Sequence, residues 1–410
     1  FDAIEAALAA RFPGDAAGLR RCLRQIARTQ EAIAHFSARH GGLWWLAHAP
    51  DLPLDLWAVL RDLRSSLSDV FERYFGPNEA LKLAMAANLA YYADDPDRLW
   101  WLAYAAAQGG YFRGGGYYIR GGSSALTAAL VEAVRGNGGA ALAGHRVTGI
   151  LTDAAGRVTG VRHHRPGADA AEDSFAPVVI AGTAPHALAG MLPEALAEDF
   201  MEPYRDRPLS ISLFTVSYRL ARPGGELGIT AYSTALLPDW ITRLADYAEA
   251  GALLSAAPGD RLPPLMVVDY GQIDSGLAGE GPAPVTVTGV DRLANWEGLD
   301  PAAYAARKSA WTGAITARLD AEWPGFAAAV AHAEMATART MRDHLGTPGG
   351  AVYGFAPVVP DAGRLAGPPG TPRTAVQGLF LASSYAGFGG FTGAMGAGAA
   401  AAQAALRALG

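Results

Sequence analysis

Over residues 1–108 apolar side chains recur at helical spacing, and further along they gather into strand-like runs. Leu19, Leu23 and Ile26 mark one helix face, Leu56, Leu60, Leu63 and Leu67 mark another, and Pro13, Pro50, Pro53, Pro77 and Pro96 punctuate the stretch. Ser210 to Tyr218, Leu265 to Tyr270 and Val285 to Val290 predict a sheet, and Pro301 to Trp323 a further helix. Near the C-terminus, Leu379 to Ala382 predicts a buried strand. A glycine-rich turn from Gly387 to Gly393 and an alanine-rich helix from about Gly393 follow it. Glycines let backbone approach a ligand closely, and a helix start presents unpaired N–H groups, so this order suits an anion or an electron-rich ring edge. A glycine-softened connection without a ligand reads the same way, and the spacing is not GxGxxG.

A second joint of this kind spans Gly114 to Leu130, GGGYYIRGGSSALTAAL. Here Ser123 or Ser124 is the expected N-cap, and Leu126 and Leu130 share a helix face. GHRVTGILTDAAGRVTGVRHH, from Gly144 to His164, predicts two short strands around a turn at Asp153 and Gly156. Val178 to Ala181 predicts a buried strand that runs into the small-residue crossover Gly182, Thr183, Ala184 and Pro185.

Together these motifs resemble the phytoene desaturase and carotenoid isomerase branch of the amine-oxidase-like flavoproteins. The carriers are YYIRGGSSAL (117–126), RVTGI (146–150), VVIAGTAPH (178–186), RDHLGTPGGAVYG (342–354) and GLFLASSYAGFGGFTGAMGAG (378–398); the opening ARFPGDAAGLRR (10–21) is similar too. The likeness covers nearly the whole chain. It implies an α/β fold with α+β character, in which an FAD-binding Rossmann-like domain is interleaved with a helix-capped β-sheet substrate domain. The expected segments are 1–108 (helical cap), 109–200 (FAD domain), 201–345 (substrate domain) and 346–410 (C-terminal FAD segment). Family members open with a strand–GxGxxG–helix unit that precedes nothing here, so the sequence is expected to be N-terminally truncated by on the order of a hundred residues, with an incomplete FAD site.

The resemblance also assigns residues. FAD would lie against Gly121 and Gly122, with Val147 at the adenine and Thr183, Ala184 and Pro185 near the cofactor. Gly389, Gly390, Phe391, Thr392, Gly393, Ala394 and Met395 would cradle the ring, the amides of Ala394 and Met395 facing flavin N1 and the C2 carbonyl. Tyr117 and Tyr118 would meet the substrate, and Arg120, Asp343 and Tyr353 are acid–base candidates by motif membership. His344 stands where the family commonly has tyrosine, and Ala338 follows Thr337 where it has proline. The implied activity is hydride transfer to flavin from a long apolar isoprenoid or carotenoid-like substrate. A redox-neutral polyene isomerase or saturase, and a non-catalytic lipid-binding protein, are the alternatives.

Composition narrows the rest. Half of the 410 residues are hydrophobic and 18% charged, enough for a large core, and a net charge of −6 without a basic aromatic run argues against nucleic acid. A single cysteine, Cys22, excludes disulfides and cysteine-based metal sites and fits a reducing, cytoplasmic setting. The charge-free stretch from Thr374 to Gln403 is too glycine-rich at its centre for a membrane span, which leaves peripheral membrane contact as the expectation. No metal is expected: His163 and His164 are adjacent and point to opposite strand faces, and His35 and His40 lack a carboxylate at metal-site spacing. No GxSxG elbow occurs. Trp44–Trp45 and Trp100–Trp101 read more readily as packing than as a substrate tunnel.

Overall fold

The computed structural model describes residues 1–37, 44, 52–165, 167, 170–360, 371–387 and 389–410; Trp45, His40 and Pro50 lie outside them. The helical layer comprises α1 (Asp2–Arg11), α2 (Ala16–Ser37), α3 (Leu52–Leu60), α4 (Leu67–Phe75), α5 (Glu79–Met85) and α6 (Trp101–Gly114), single-turn pieces being left unlabelled. Leu19, Cys22, Leu23 and Ile26 of α2 are buried at helical spacing against Leu67, Val70, Phe71 and Phe75 of α4. Gly18 permits that approach, since a Cβ there would sit 2.4 Å from the Tyr74 carbonyl oxygen. Trp101 and Tyr104 stack within the same core, and Trp100 donates its indole N–H to the Leu63 carbonyl, so this pair packs the layer.

The expected single stripe from Leu56 to Leu67 is broken. Ser66 and Asp69 form a reciprocal capping box that starts α4 afresh, so Leu67 is buried while Leu56 and Leu60 of α3 stay exposed.

Beyond α7 (Gly122–Gly136) comes a three-stranded antiparallel meander, β1 (Arg146–Thr152), β2 (Val158–His164) and β3 (Glu172–Phe175). β4 (Val179–Ala181) then leads into α8 (Pro185–Ala189) and α9 (Glu194–Met201). A five-stranded antiparallel sheet follows in the order β6-β7-β8-β5-β9, from β5 (Ser212–Leu220), β6 (Ser233–Leu236), β7 (Leu265–Asp269), β8 (Val285–Asp291) and β9 (Val330–Ala336). One sheet face packs Phe214, Val216 and Tyr218 on α10 (Pro301–Glu322) through Trp311, Ile315 and Leu319, spaced one helical turn apart. The other presents Ala235, Met266 and Val290 to Ala90 and Tyr91 of the helical layer.

The chain closes with α11 (Ala338–Leu345), β10 (Leu379–Leu381) and α12 (Gly390–Leu409). β10 pairs in parallel with β4, which is what its fully buried LFL run suits. β4 itself departs from the expected buried strand, because Ile180 is 46% exposed. α7 starts on Gly121, a left-handed N-cap at φ +84°, so the serine caps expected at Ser123 or Ser124 fall inside its first turn. Its Leu130 is exposed and only Gly122 is buried. Among the described residues no helix is long and apolar enough to cross a membrane.

One buried carboxylate ties the sheet to the C-terminal third. Asp291, at the end of β8, accepts from the Ala338 amide at 2.8 Å, Asn295 Nδ2 at 2.8 Å, Trp296 Nε1 at 2.7 Å and the Arg292 amide at 2.8 Å. Burial pushes this carboxyl up, against the pull of four N–H donors. Replacing it with alanine strands several buried donors, so Asp291→Ala is expected to lower stability by about 3 kcal/mol or more. Asp291→Asn turns an NH2 group toward the same donors and should lose at least half as much in urea unfolding; a near-neutral Asn variant would show that the side chain only fills space.

Candidate functional site: a glycine cradle facing a ring of tyrosines

The parallel pair β4–β10 directs two connections to the same place. The Ala382 amide donates to the Ala181 carbonyl at 2.8 Å, so Gly182 to Pro185 and Ala382 to Ala386 run side by side beyond the C-terminal ends of both strands. In parallel sheets that end is where ligands sit. Ala184 and Pro185 are buried there and Thr183 is half-buried. Two polar atoms beside them, His186 Nδ1 and the Tyr385 hydroxyl, lack partners among the described residues, and both rings pack on Phe355, at 6.4 and 5.0 Å between centroids. Burial lowers the His186 pKa and pushes Tyr385 up to about 12, so both side chains are neutral at pH 7.

α12 begins beside this crevice at Gly390, three residues earlier than the sequence suggests, with Gly389 as a cap that supplies no side-chain bond. The unpaired amides of a helix belong to its cap and first turn. They are therefore those of Gly389, Gly390, Phe391 and Thr392; the amides of Ala394 and Met395 fall in the second turn, where the helix ladder uses them. Phe391, Thr392 and Met395 are exposed, and Gly393 and Ala394 half-buried. Tyr353 is packed against the cradle: a Cβ on Gly389 would lie 2.6 Å from the Tyr353 carbonyl oxygen, and one on Gly390 would lie 3.6 Å from its ring. Gly390 takes φ +78°, open to glycine at little cost.

A set of phenols drawn from four separate parts of the chain gathers at the ends of β6 and β7. Tyr232 precedes β6 and Tyr270 follows β7, and the Asp269 amide bonds the Tyr232 carbonyl at 2.9 Å, which sets their rings 5.9 Å apart. Tyr118 reaches in from the α6–α7 loop, 5.1 Å from Tyr270 and 6.3 Å from Tyr232. That loop is pinned by the Gly121 amide on the Ser275 carbonyl at 2.7 Å and by the exposed Arg120–Asp274 ion pair at 3.1 Å. Burial pushes the Tyr91 phenol up, opposed by Ser233 beside it and helped by Tyr270 and Tyr111, and Tyr91 in turn adds to the burial that raises Tyr353. Burial first, and then the neighbouring phenols, push Tyr232 up to about 12, and Tyr353 is likewise pushed up to about 12.

Of the residues singled out in the sequence, Tyr118, Gly121, Gly122 and Tyr353 come to this space. Tyr117 does not: it is 92% exposed. Arg120 clamps its loop through Asp274, and Asp343 sits on the solvent side of α11, paired with Arg342 at 2.6 Å. Val147 lies on the meander opposite His163. Tyr91, Tyr111, Tyr232 and Tyr270 complete the ring without any local motif. A tyrosine flanking each of two neighbouring strands is the one signal that could have joined Tyr232 to Tyr270.

The chain is similar to a solved oxidoreductase from Methanosarcina mazei, with a TM-score of 0.54 and 16% identity over 86% of this chain and 71% of that one. It is similar also to a triple mutant of putrescine oxidase redesigned in its cofactor binding, with a TM-score of 0.54 and 13% identity over 86% and 69% of the two chains. No family model matches the chain, and no curated protein compared with it does. At these identities the likeness establishes a shared fold.

Proposed function

We propose that the protein is an FAD-dependent oxidoreductase whose flavin ring rests on the start of α12 and whose substrate lies among the tyrosines. The observation that carries this reading is the uncapped N-terminus of α12 at the C-terminal ends of two parallel strands, facing Tyr353 and Tyr91. The residues fit the group. Glycine at 389 and 390 keeps Tyr353 and the helix backbone in contact, and the orphaned His186 Nδ1 and Tyr385 hydroxyl leave hydrogen-bonding capacity beside the crevice.

Bound there, the isoalloxazine supplies a two-electron acceptor. The first-turn amides of α12 hold negative charge at the ring edge. Tyr118, Tyr232 and Tyr270 form an aromatic wall whose hydroxyls can donate hydrogen bonds. Both lysines lie elsewhere, Lys82 on α5 and Lys308 on α10, so the proton that accompanies hydride removal from a C–H bond would pass to water or to a base.

The substrate class follows from the lining. A long isoprenoid or polyene is the first reading, supported by the apolar helical layer, the scarcity of lysine and the motif resemblance. An amine is the second, favoured by the tyrosine ring itself, since phenol faces hold ammonium groups through their quadrupoles. The redox-neutral isomerase and saturase are variants of the first reading.

Gly390→Val places a branched side chain at a positive φ beside the Tyr353 ring, and is expected to weaken FAD binding at least about tenfold in fluorescence titration while circular dichroism stays unchanged. Unaltered binding would make the cradle a plain turn. In anaerobic mixing, polyenes but not amines should bleach the flavin; Tyr118→Ala or Tyr270→Ala should cut kcat/KM on the order of tenfold or more with flavin retained. Bleaching by amines alone selects the second reading.

Alkali gives a separate check. The native phenols of Tyr232 and Tyr353 hold their protons up to about 12, above the ordinary phenol value of 10.0. The native state therefore binds protons more tightly than the unfolded chain, and their contribution to stability is complete below that ordinary value and falls as pH rises through the window to about 12. Urea midpoints should drop across that window, and less steeply in a Tyr232→Phe, Tyr353→Phe double variant.

A further inference from the structure

The meander carries a second cluster of chemistry, away from the cradle. His145 stands just before β1, His163 is buried in β2, and Glu172 is directly opposite His163 on β3. The three side chains bring ligand atoms to within 4.8 Å of one another, the two Nδ1 atoms being 3.0 Å apart. We propose that His145, His163 and Glu172 form a binding site for a divalent first-row transition ion such as Zn2+.

The spacing suits it. Two imidazole nitrogens each about 2.0–2.1 Å from one ion come to about 3 Å apart when the bond angle is near a right angle, and a carboxylate completes a two-nitrogen, one-oxygen set with positions left for water. The hydrogen bonds assign the ring tautomers. Arg165 Nε donates to His145 Nε2 at 3.0 Å, so His145 carries its proton on Nδ1 and donates it to His163 Nδ1. His163 then donates Nε2–H to the Ser174 hydroxyl at 2.8 Å.

His163 is thus already arranged as a ligand, with a bare Nδ1 and its far nitrogen held by a second partner, the arrangement that orients metal-binding histidines. His145 is not: it must move its proton from Nδ1 to Nε2, and Arg165 must let go. Arg165 is exposed and free to swing away. The guanidinium is therefore a latch, holding the neutral histidine pair closed and opposing the ion by its charge. The adjacent histidine His164 takes no part, because successive side chains of β2 point to opposite faces of the sheet. Asp173 is held by Arg162 through two bonds of 2.8 Å, which leaves Glu172 as the carboxylate for the ion. The site reaches across all three strands and would staple the meander.

Equilibrium dialysis of the whole chain against Zn2+ tests this. One ion per chain is expected, with affinity lowered at least about tenfold in His145→Ala and in Glu172→Gln, both of which change accessible side chains. Arg165→Ala should tighten binding, on the order of tenfold, because it removes the charge and the bond that fixes the wrong tautomer. His163→Ala should abolish binding, with circular dichroism to confirm that the meander still folds. No stoichiometric uptake, uptake unchanged in His145→Ala, or an Arg165→Ala variant that binds no better would each overturn the proposal.

Discussion

A carboxylate sealed from water sets the position of everything after the sheet. Asp291 accepts four N–H groups, and each comes from a different obligation: the turn after β8, the Asn295 and Trp296 side chains, and the first amide of α11. The charge is costly to bury, and only the full set of donors offsets that cost. α11 therefore has one place to begin. From there Gly350, whose Cβ would collide with the Ala338 carbonyl, brings the chain back against Ser212, and the Ser210 hydroxyl receives the Tyr353 amide at 2.9 Å. Tyr353 then fixes Gly389 and Gly390. The cradle is held by a relay of backbone contacts that starts at a side chain far from it in sequence.

Two different physical sources meet in the space between cradle and sheet. The α12 start contributes aligned peptide dipoles, whose field depends on backbone alone. The tyrosines contribute polarizable rings and protons they do not readily give up. A site made this way acts on a bound group through dipoles and quadrupoles, which count for more where water is scarce.

Much of this was legible in the sequence where the signal was local. The buried stripe of α2, the strands β5, β7 and β8, the long helix α10 and the short buried run of β10 all follow from side-chain period and propensity. The capping box at Ser66 and Asp69 was equally local and would have divided the leucine stripe correctly. Glycine is where reading fails. It carries no side chain to mark a boundary, so α12 starts at Gly390 rather than Gly393, and Gly121 takes the cap expected at the neighbouring serines. The ring of tyrosines was illegible for another reason. Tyr118, Tyr232 and Tyr270 meet only because strand pairing and the pinned loop bring them together, and no spacing in the chain records that. The histidine pair repeats the lesson, since His163 finds its partner across a strand and not beside it.

Arginine supplies nearly all the positive charge, and the chain has just two lysines. Lys308 lies on α10 over the ring of Tyr304. Lys82 is 5% exposed, its ammonium held by Glu72 at 2.5 Å and Glu79 at 2.7 Å, and Glu79 also accepts the Leu244 amide at 2.8 Å, bonding the helical layer to the segment beyond β6. Acylation of Lys82 therefore requires its ammonium to leave Glu72 and Glu79. The glutamate that holds this amine also bonds the helical layer to the chain beyond β6, so the rate at which Lys82 is labelled reports how often those contacts loosen.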